Sequence, residues 1–341
     1  FLMDPHSLEY RKKHVAIGKH NTSYGSGLGD APFVDSKNSA MDLKKWKNQF
    51  QLNFQQTKDP NTLVFDMIGI DAALANAIRR IVIADVPTVA IHRCYILNNT
   101  SVMQDEVLAH RLGLLPLCFN PDLFEFPPDE TVVTMIDSIP EPEENLNLVF
   151  RLQVTCERDS SGKLQNQTVY AKHLKWVPIG DQKKRFKDNP PKFVYDKIII
   201  TKLGIGQTID LTVHCAKGIG RDHAKWSPVA TATYRILPSI LFKKPLTQTQ
   251  AKELVDICPL KVFEIEEGVV VAKNPRKCTV CRECIRKDGW DDLIALGRVR
   301  DHFIFSIEST GSIPPTQIFL TALEILQNKI DRLSNNLAAE T

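Results

Sequence analysis

No stretch of this 341-residue chain approaches the run of about 18 apolar residues that a membrane-crossing helix requires. Its start, FLMDPHSLEYRKKH, lacks the apolar core of a secretion signal. A soluble, intracellular protein without a membrane partner is the expectation. Charge of one sign is missing too: 43 Lys and Arg face 40 Asp and Glu, a net of +3. That balance argues against a broad basic face gripping nucleic acid and leaves room only for local contacts. Enzyme signatures are absent, with no nucleophile elbow and no metal-binding His pair. Gly25, Gly27 and Gly29 lack the flanking strand and helix of a phosphate loop and read as linker within a partly mobile arm, residues 1–40. Cysteine is sparse and uneven. Three of the eight sit in one heptapeptide, which suits metal ligands better than a disulfide framework. What is present is a hydrophobic fraction of 43%, enough for two domains or one with large insertions.

The densest information lies between Asp71 and Leu117. Asp71 is placed to cap AALANAIRRIVIA, in which Leu74, Ile78, Ile81 and Val82 share one helical stripe while Asn76, Arg79 and Arg80 lie off it. The Arg pair suits backbone carbonyls and carboxylates of a partner, although a solvated polar face explains it equally simply. Pro87 closes the helix, VAIHRCYILNN reads as a strand, and MQDEVLAHRLGLLPL reads as a second helix ended by Gly113 and Pro116. His110, with no companion ligand at metal spacing, reads as a packed or capping residue.

Elsewhere the pattern is mostly strand. Trp46, Phe50, Leu52 and Phe54 fall on one parity, so WKNQFQLNFQQ and NTLVFDMIGI read as two strands joined by a turn. The Pro-rich, acidic PDLFEFPPDE and SIPEPEEN mark a boundary. Beyond it LNLVFRLQVTC alternates cleanly, and TVYAKHLKWV, KIIITKL, QTIDLTVHCAKG and PVATATYRIL supply further strands. Lys183, Lys184, Arg185 and Lys187 read as a solvated loop. Cys156 and Cys215 need only be small core residues. In the last third, Phe303, Phe305 and Ile307 line a strand. Pro314-Pro315 then opens a long helix whose Phe319, Ala322, Leu323, Leu326, Ile330 and Leu333 follow helical spacing. Such a seam suits a partner helix or packing within the chain.

KVFEI and VVVA around Glu267-Gly268 predict a β-hairpin that returns Cys258 to Cys278, Cys281 and Cys284. Three Cys at three-residue spacing with a remote Cys-Pro match the ferredoxin-type arrangement. Asp288 stands where a second cluster would need its Cys, so a single iron-sulfur cluster, 4Fe-4S or 3Fe-4S, is expected. Zinc and an empty thiol site stay open, because four thiolates also suit tetrahedral zinc.

Asn76-Ala77-Ile78-Arg79-Arg80, followed by DVPTVAI and DEVLAHRLGLLPL, resembles the alpha-motif shared by the bacterial RNA polymerase alpha subunit, its archaeal counterpart and their eukaryotic relatives. The likeness continues through GRDHAKWSPVATATYR and RVRDHFIFSIESTG, covering most of residues 45–335. Within that family the chain is most similar to the larger alpha-like members common to nuclear RNA polymerases I and III. The polymerase II relative carries a zinc-binding Cys group in its insertion, whereas residues 119–235 here hold only Cys156 and Cys215.

The resemblance implies an α+β fold. A dimerisation domain of helices on an antiparallel sheet would come from residues 41–118 and 236–341, with a β-rich insertion domain at 119–235. A ferredoxin-like cysteine module would occupy 256–290. It implies a heterodimer with a smaller alpha-like subunit, in which Leu74, Ile78 and Ile81 of the first helix and Phe319, Leu323, Leu326 and Ile330 of the last meet the partner's helices. Asn76, Arg79, Arg80, Asp105, Glu106, His110 and Arg111 would dock the second-largest and largest catalytic subunits, joined by small zinc-binding subunits. DNA would be reached only through the complex. The implied location is the nucleus, nucleolar for polymerase I and nucleoplasmic for polymerase III. A non-catalytic scaffold therefore leads. An iron-sulfur redox or redox-sensing protein is the alternative, weakened by the lack of any flavin or nicotinamide motif.

Overall fold

The computed structural model describes residues 10, 13–23, 43–128, 141–160 and 162–340. The linker glycines Gly25, Gly27 and Gly29, most of the expected arm and the beginning of SIPEPEEN lie outside the described residues. Two compact units emerge, residues 1–56, 64–76 and 233–306 in the first and 57–63, 77–232 and 307–341 in the second. This division differs from the boundaries read in the sequence. It groups the C-terminal helix and most of the first helix with the β-rich middle of the chain, because contacts rather than composition define it.

In the first unit the strand Ile294–Ser309 is the spine of a six-stranded sheet. It pairs antiparallel with His14–Ile17, His14 standing opposite Val299, and also neighbours Thr62–Ile68 and Val229–Phe242. Phe303 and Phe305 are buried, as their alternation predicts. The Phe65 ring stacks on Phe305 at 5.0 Å, and the Tyr234 ring lies 5.4 Å from Phe303 and 5.3 Å from Phe305. This aromatic layer supplies apolar area and ring-pair geometry together. Thr62–Ile68 forms a hairpin with Gln51–Gln55, placing Phe54 opposite Phe65. Trp46, however, is helical, in Leu43–Gln49, with its ring 5.3 Å from that of Phe50. A pair four residues apart satisfies a helix stripe as well as strand parity. LKKWKNQ contains no β-branched residue to favour the strand.

The second unit holds a four-stranded antiparallel sheet ordered Lys175–Val177, Leu148–Thr155, Thr208–Ile219, Pro87–Asn99. Leu148, Phe150, Leu152, Val154 and Cys156 are all buried in its core, as the period-2 pattern requires. Gly218 and Gly220 are fixed by close approach. A Cβ on Gly218 would lie 2.4 Å from the Trp226 ring and one on Gly220 would lie 2.3 Å from the Ile83 carbonyl oxygen. Trp226 is tied down further, its indole donating to Ala216 O at 3.0 Å and its carbonyl accepting from Thr88 Oγ1 at 2.7 Å. The Lys183–Lys187 run is not all loop. Gln182–Arg185 forms a short helix anchored by buried Gln182, whose amide donates to the Glu144 and Asn147 carbonyls at 2.8 Å each.

The helices form where expected. Asp71 Oδ1 accepts from Ala73 N at 2.7 Å, capping Ala72–Ala84. The C-terminal helix runs Pro315–Glu340. Its apolar seam is divided. Phe319 is 3% exposed, and Ile78 and Ile81 of the first helix are 2% and 5% exposed, so these three pack the chain's own core instead of facing a partner. Leu74, Leu323 and Leu326 are half-buried. Farther along, Ile330, Leu333 and Leu337 are 57%, 61% and 57% exposed. No helix among the described residues is long and apolar enough to cross a membrane.

Candidate functional site

The residues expected to dock partners are spread over several environments. Arg80 is exposed, while Asn76 and Arg79 are half-buried and engaged in contacts of their own. Asp105 and Glu106 open the helix Asp105–Gly113, where carboxylates favour the dipole. Glu106 is free to face solvent, whereas Asp105 Oδ1 accepts from Asn99 Nδ2 at 2.7 Å. Arg111 is committed inside the chain: Nε donates to Ile200 O and Nη2 to Ile199 O, both at 2.9 Å. Through these two donors it braces a strand end.

His110 is exposed, and its ring lies 6.4 Å from that of His223, so it belongs to an aromatic and cationic patch, not to a core. The patch includes Lys225, whose Nζ sits 3.2 Å from His92 Nδ1 and 4.3 Å from the centre of the Trp226 ring. His223 Nδ1 accepts from Lys225 N at 3.0 Å. Sequence reading missed this grouping of His92, His223 and Lys225. HAKW was its only trace.

A second feature missed in the sequence holds the C-terminal helix. The buried carboxylate of Asp85, just past the first helix, accepts from both Arg221 and Lys329. Burial works to raise its pKa, but the bonds and charges of Lys329 and Arg221 outweigh that, and the net direction is down. A depressed folded pKa gives stability that is present above the unfolded value, about 3.9, and lost as pH falls through the folded value. Asp85→Asn should therefore cost about 1 kcal/mol at pH 7, discounted because Arg221 and Lys329 keep 62% and 40% of their side chains exposed. It should also flatten the acid limb between pH 5 and pH 3 (roughly the range over which a carboxylate titrates). Urea unfolding across that range checks this, and parallel curves for the two proteins would count against it.

The cysteine segment folds as the hairpin predicts. Phe263–Glu266 pairs with Val269–Ala272 around Glu267 and Gly268, which turn at φ 51° and 80°. Cys258, Cys278, Cys281 and Cys284 then line one small void of about 20 Å³ with Val262, Phe263 and Leu296. Cys258 Sγ accepts from Val262 N at 3.4 Å, and Cys278 Sγ accepts from Val280 N at 3.3 Å. Val280 and Arg282 both take left-handed backbone, φ 61° and 70°, an outlier for a β-branched Val. At Val280 this turns one backbone N–H toward Cys278 Sγ, and Lys261 at φ 48° precedes the Val262 N–H that meets Cys258 Sγ, a local arrangement akin to anion-binding nests. Burial raises the Cys278 thiol pKa and pushes that of Cys284 up to about 12. Among the described residues no group of three or more His, Cys, Asp or Glu side chains is gathered closely enough to hold a metal ion as it stands.

Residues 64–330 match the RNA polymerase Rpb3/Rpb11 dimerisation domain. The chain is 45% identical, over 98% of its length and 95% of the relative's, to the DNA-directed RNA polymerases I and III subunit rpac1 of Dictyostelium discoideum. It is 44% identical to the RPAC1 subunit of Homo sapiens over 86% of this chain and 87% of that one. To the RPAC1 subunit of Saccharomyces cerevisiae it is 41% identical over 89% and 92%. This chain belongs to the Rpb3/Rpb11 dimerisation-domain family. As a member of the Rpb3/Rpb11 family it has an α-like domain of mixed helices and antiparallel sheet. The matched segment takes in the capped first helix and ends at Ile330, where the exposed apolar stripe of the C-terminal helix begins.

Proposed function

We propose that this chain is a non-catalytic assembly subunit of nuclear RNA polymerases I and III. It pairs with a smaller alpha-like subunit, and the pair docks the second-largest and largest catalytic subunits together with small zinc-binding subunits. The observation that carries the pairing is the stripe Ile330, Leu333 and Leu337, three apolar side chains left more than half exposed on one helix of a dimerisation-family chain. Water-exposed leucines at helical spacing ask for a partner helix. The relatives named as polymerase I and III subunits support the assembly role and make an independent redox carrier the weaker reading.

Docking of the second-largest subunit falls to the exposed Arg80, with Arg79, Asn76, Glu106 and His110 beside it in the reading. Arg79→Ala with Arg80→Ala should weaken that docking about tenfold, the scale of a contact Arg, while circular dichroism stays unchanged. Co-purification of the large subunits in fixed stoichiometry tests the whole assignment, and a stable solitary monomer would count heavily against it.

The four cysteines form, on this reading, a thiolate metal centre that cross-links the end of the helix Gln248–Ile257, where Cys258 is the cap, to the Cys278–Cys284 loop. The donor set, the shared void and the backbone N–H groups aimed at two sulfurs support it. The spacing favours an iron-sulfur cluster. One observation favours zinc instead: a void of about 20 Å³ is nearer the size of a single ion than of a multi-iron cluster, although the thiols must still close in to ligate it. Iron, zinc and sulfide analysis after anaerobic purification separates the two.

A further inference from the structure

We propose that Arg235 is an acceptor site for a carboxylate of another polymerase subunit, set in a pocket on the sheet of the first unit; the inference rests on the assembly reading above. The pocket, about 270 Å³, is lined by Val64, Thr233, Arg235, Arg276, Ile304 and Ser306, with Tyr234 and Phe305 completing it. On their strands Val64, Arg235, Ile304 and Ser306 alternate with Phe65, Tyr234 and Phe305, so most of the lining belongs to the parity opposite the aromatic layer, with Tyr234 and Phe305 of that layer also bordering it.

The charges around it do not balance. Arg276, two residues before Cys278, gives Nη1 and Nη2 to the two oxygens of buried Asp66 at 2.6 Å each. The Gln55 side chain, with its oxygen turned to the same guanidinium, accepts at 2.7 and 3.1 Å. His302 Nε2 stands 3.2 Å from Asp66 Oδ2. Both oxygens of Asp66 are thereby taken up by Arg276, with His302 beside one of them. Arg235, exposed on its strand, donates Nη1 to the Arg276 carbonyl at 2.6 Å, which is a neutral acceptor. Two guanidiniums thus share one carboxylate. Burial first, and the Arg276 charge second, lower the Arg235 pKa, with Asp66 only partly offsetting them. Among the described residues, Asp66 is the one carboxylate that acts on Arg235, and it is already bonded to Arg276.

A guanidinium has five N–H donors in a planar fork, and Arg235 uses one of them in the bond to Arg276. The remaining edge matches a carboxylate bidentately, and the Thr233 and Ser306 hydroxyls at the rim can donate to the same oxygens. A pocket of this volume admits an acidic side chain with its stem. An acidic residue of a neighbouring subunit is the occupant that supplies the missing charge and remains in place for the life of an assembly.

Two measurements on the polymerase as purified test this. With Arg235→Lys, carbodiimide coupling followed by mass spectrometry should join the introduced amine to an Asp or Glu of another subunit. Coupling to Asp66 alone, or to nothing, would overturn the inference. With Arg235→Gln, the heterodimer should keep its Tm or gain a degree or two, since a repelling cation is removed, while recruitment of the large subunits falls about tenfold. A lowered Tm with unchanged recruitment would make Arg235 a brace for the Arg276 loop and overturn the inference. Inorganic phosphate that raises the Tm of the wild-type heterodimer but not of Arg235→Gln, without any intersubunit link from the introduced amine in the polymerase, would assign the pocket to a free anion and equally overturn it. If the wild-type chain brings down no large subunits, the assembly reading itself fails; co-purification without the link defeats this inference alone.

Discussion

Replacing Ile330 and Leu333 together by Glu should cut affinity for the smaller alpha-like subunit at least a hundredfold (about 3 kcal/mol) while leaving the chain's own stability nearly unchanged. Both side chains are more than half exposed in the chain alone, so nothing of its core is lost. Surface changes of this kind usually stay within about 0.5 kcal/mol each. In the proposed heterodimer the same two residues would be covered. Burying a Leu or Ile contributes about 1.5–3 kcal/mol, and two of them exceed the hundredfold mark before any cost of burying carboxylates. Sedimentation of the co-expressed pair reads the affinity, and urea unfolding of the single chain reads the stability. Ala322→Glu provides the contrast, because Ala322 is fully buried and its substitution should unfold the chain. An intact heterodimer with both glutamates present would remove the C-terminal stripe from the interface.

The contrast between Phe319 and Ile330 shows what a helical stripe in a sequence can and cannot say. Both lie on the seam predicted from spacing, yet one packs the chain's own core and the other meets solvent. Period reveals that a face is apolar, not whose apolar surface covers it. Local devices were legible: the Asp71 cap, the Glu267-Gly268 turn, the alternation from Leu148 to Cys156. Each is decided by residues within a few positions of one another. Trp46 was misplaced because a spacing of four serves helix and strand alike. The brace made by Arg111 was not legible because the carbonyls it meets lie 88 and 89 residues away. The same distance in sequence hid the charged locks, Asp66 with Arg276 and Asp85 with Lys329, 210 and 244 residues apart. Those pairs follow from the fold, and no local pattern announces them.

Removing one thiol from the proposed metal centre should have the largest local effect in the first unit. Cys258→Ala should abolish bound metal and speed amide exchange of residues 278–286 about a hundredfold, a loss of about 3 kcal/mol of local stability. The loop holds Val280 and Arg282 in left-handed backbone, which costs of order 1–3 kcal/mol per residue. In the proposed centre, metal–sulfur bonds offset that strain; without them the turn rests on the Val280 N–H to Cys278 Sγ bond, the Ile285 N–H to Arg282 O bond and the Arg282 Nη1 bond to Lys19 O. The effect should stop at the loop. Leu254, Val262, Phe263, Ile285, Trp290 and Leu296 form a buried cluster of their own around the hairpin, and Arg276 stays fastened to Asp66 at the loop's upstream end. Cys156→Ala and Cys215→Ala, which remove buried thiols from the other unit, should leave metal content unchanged. Exchange mass spectrometry with parallel metal analysis separates the outcomes. Wild-type protection of 278–286 in the Cys258→Ala chain would mean that hydrogen bonds and packing alone hold the left-handed turn, and the four thiols would then be only a cluster of small buried side chains.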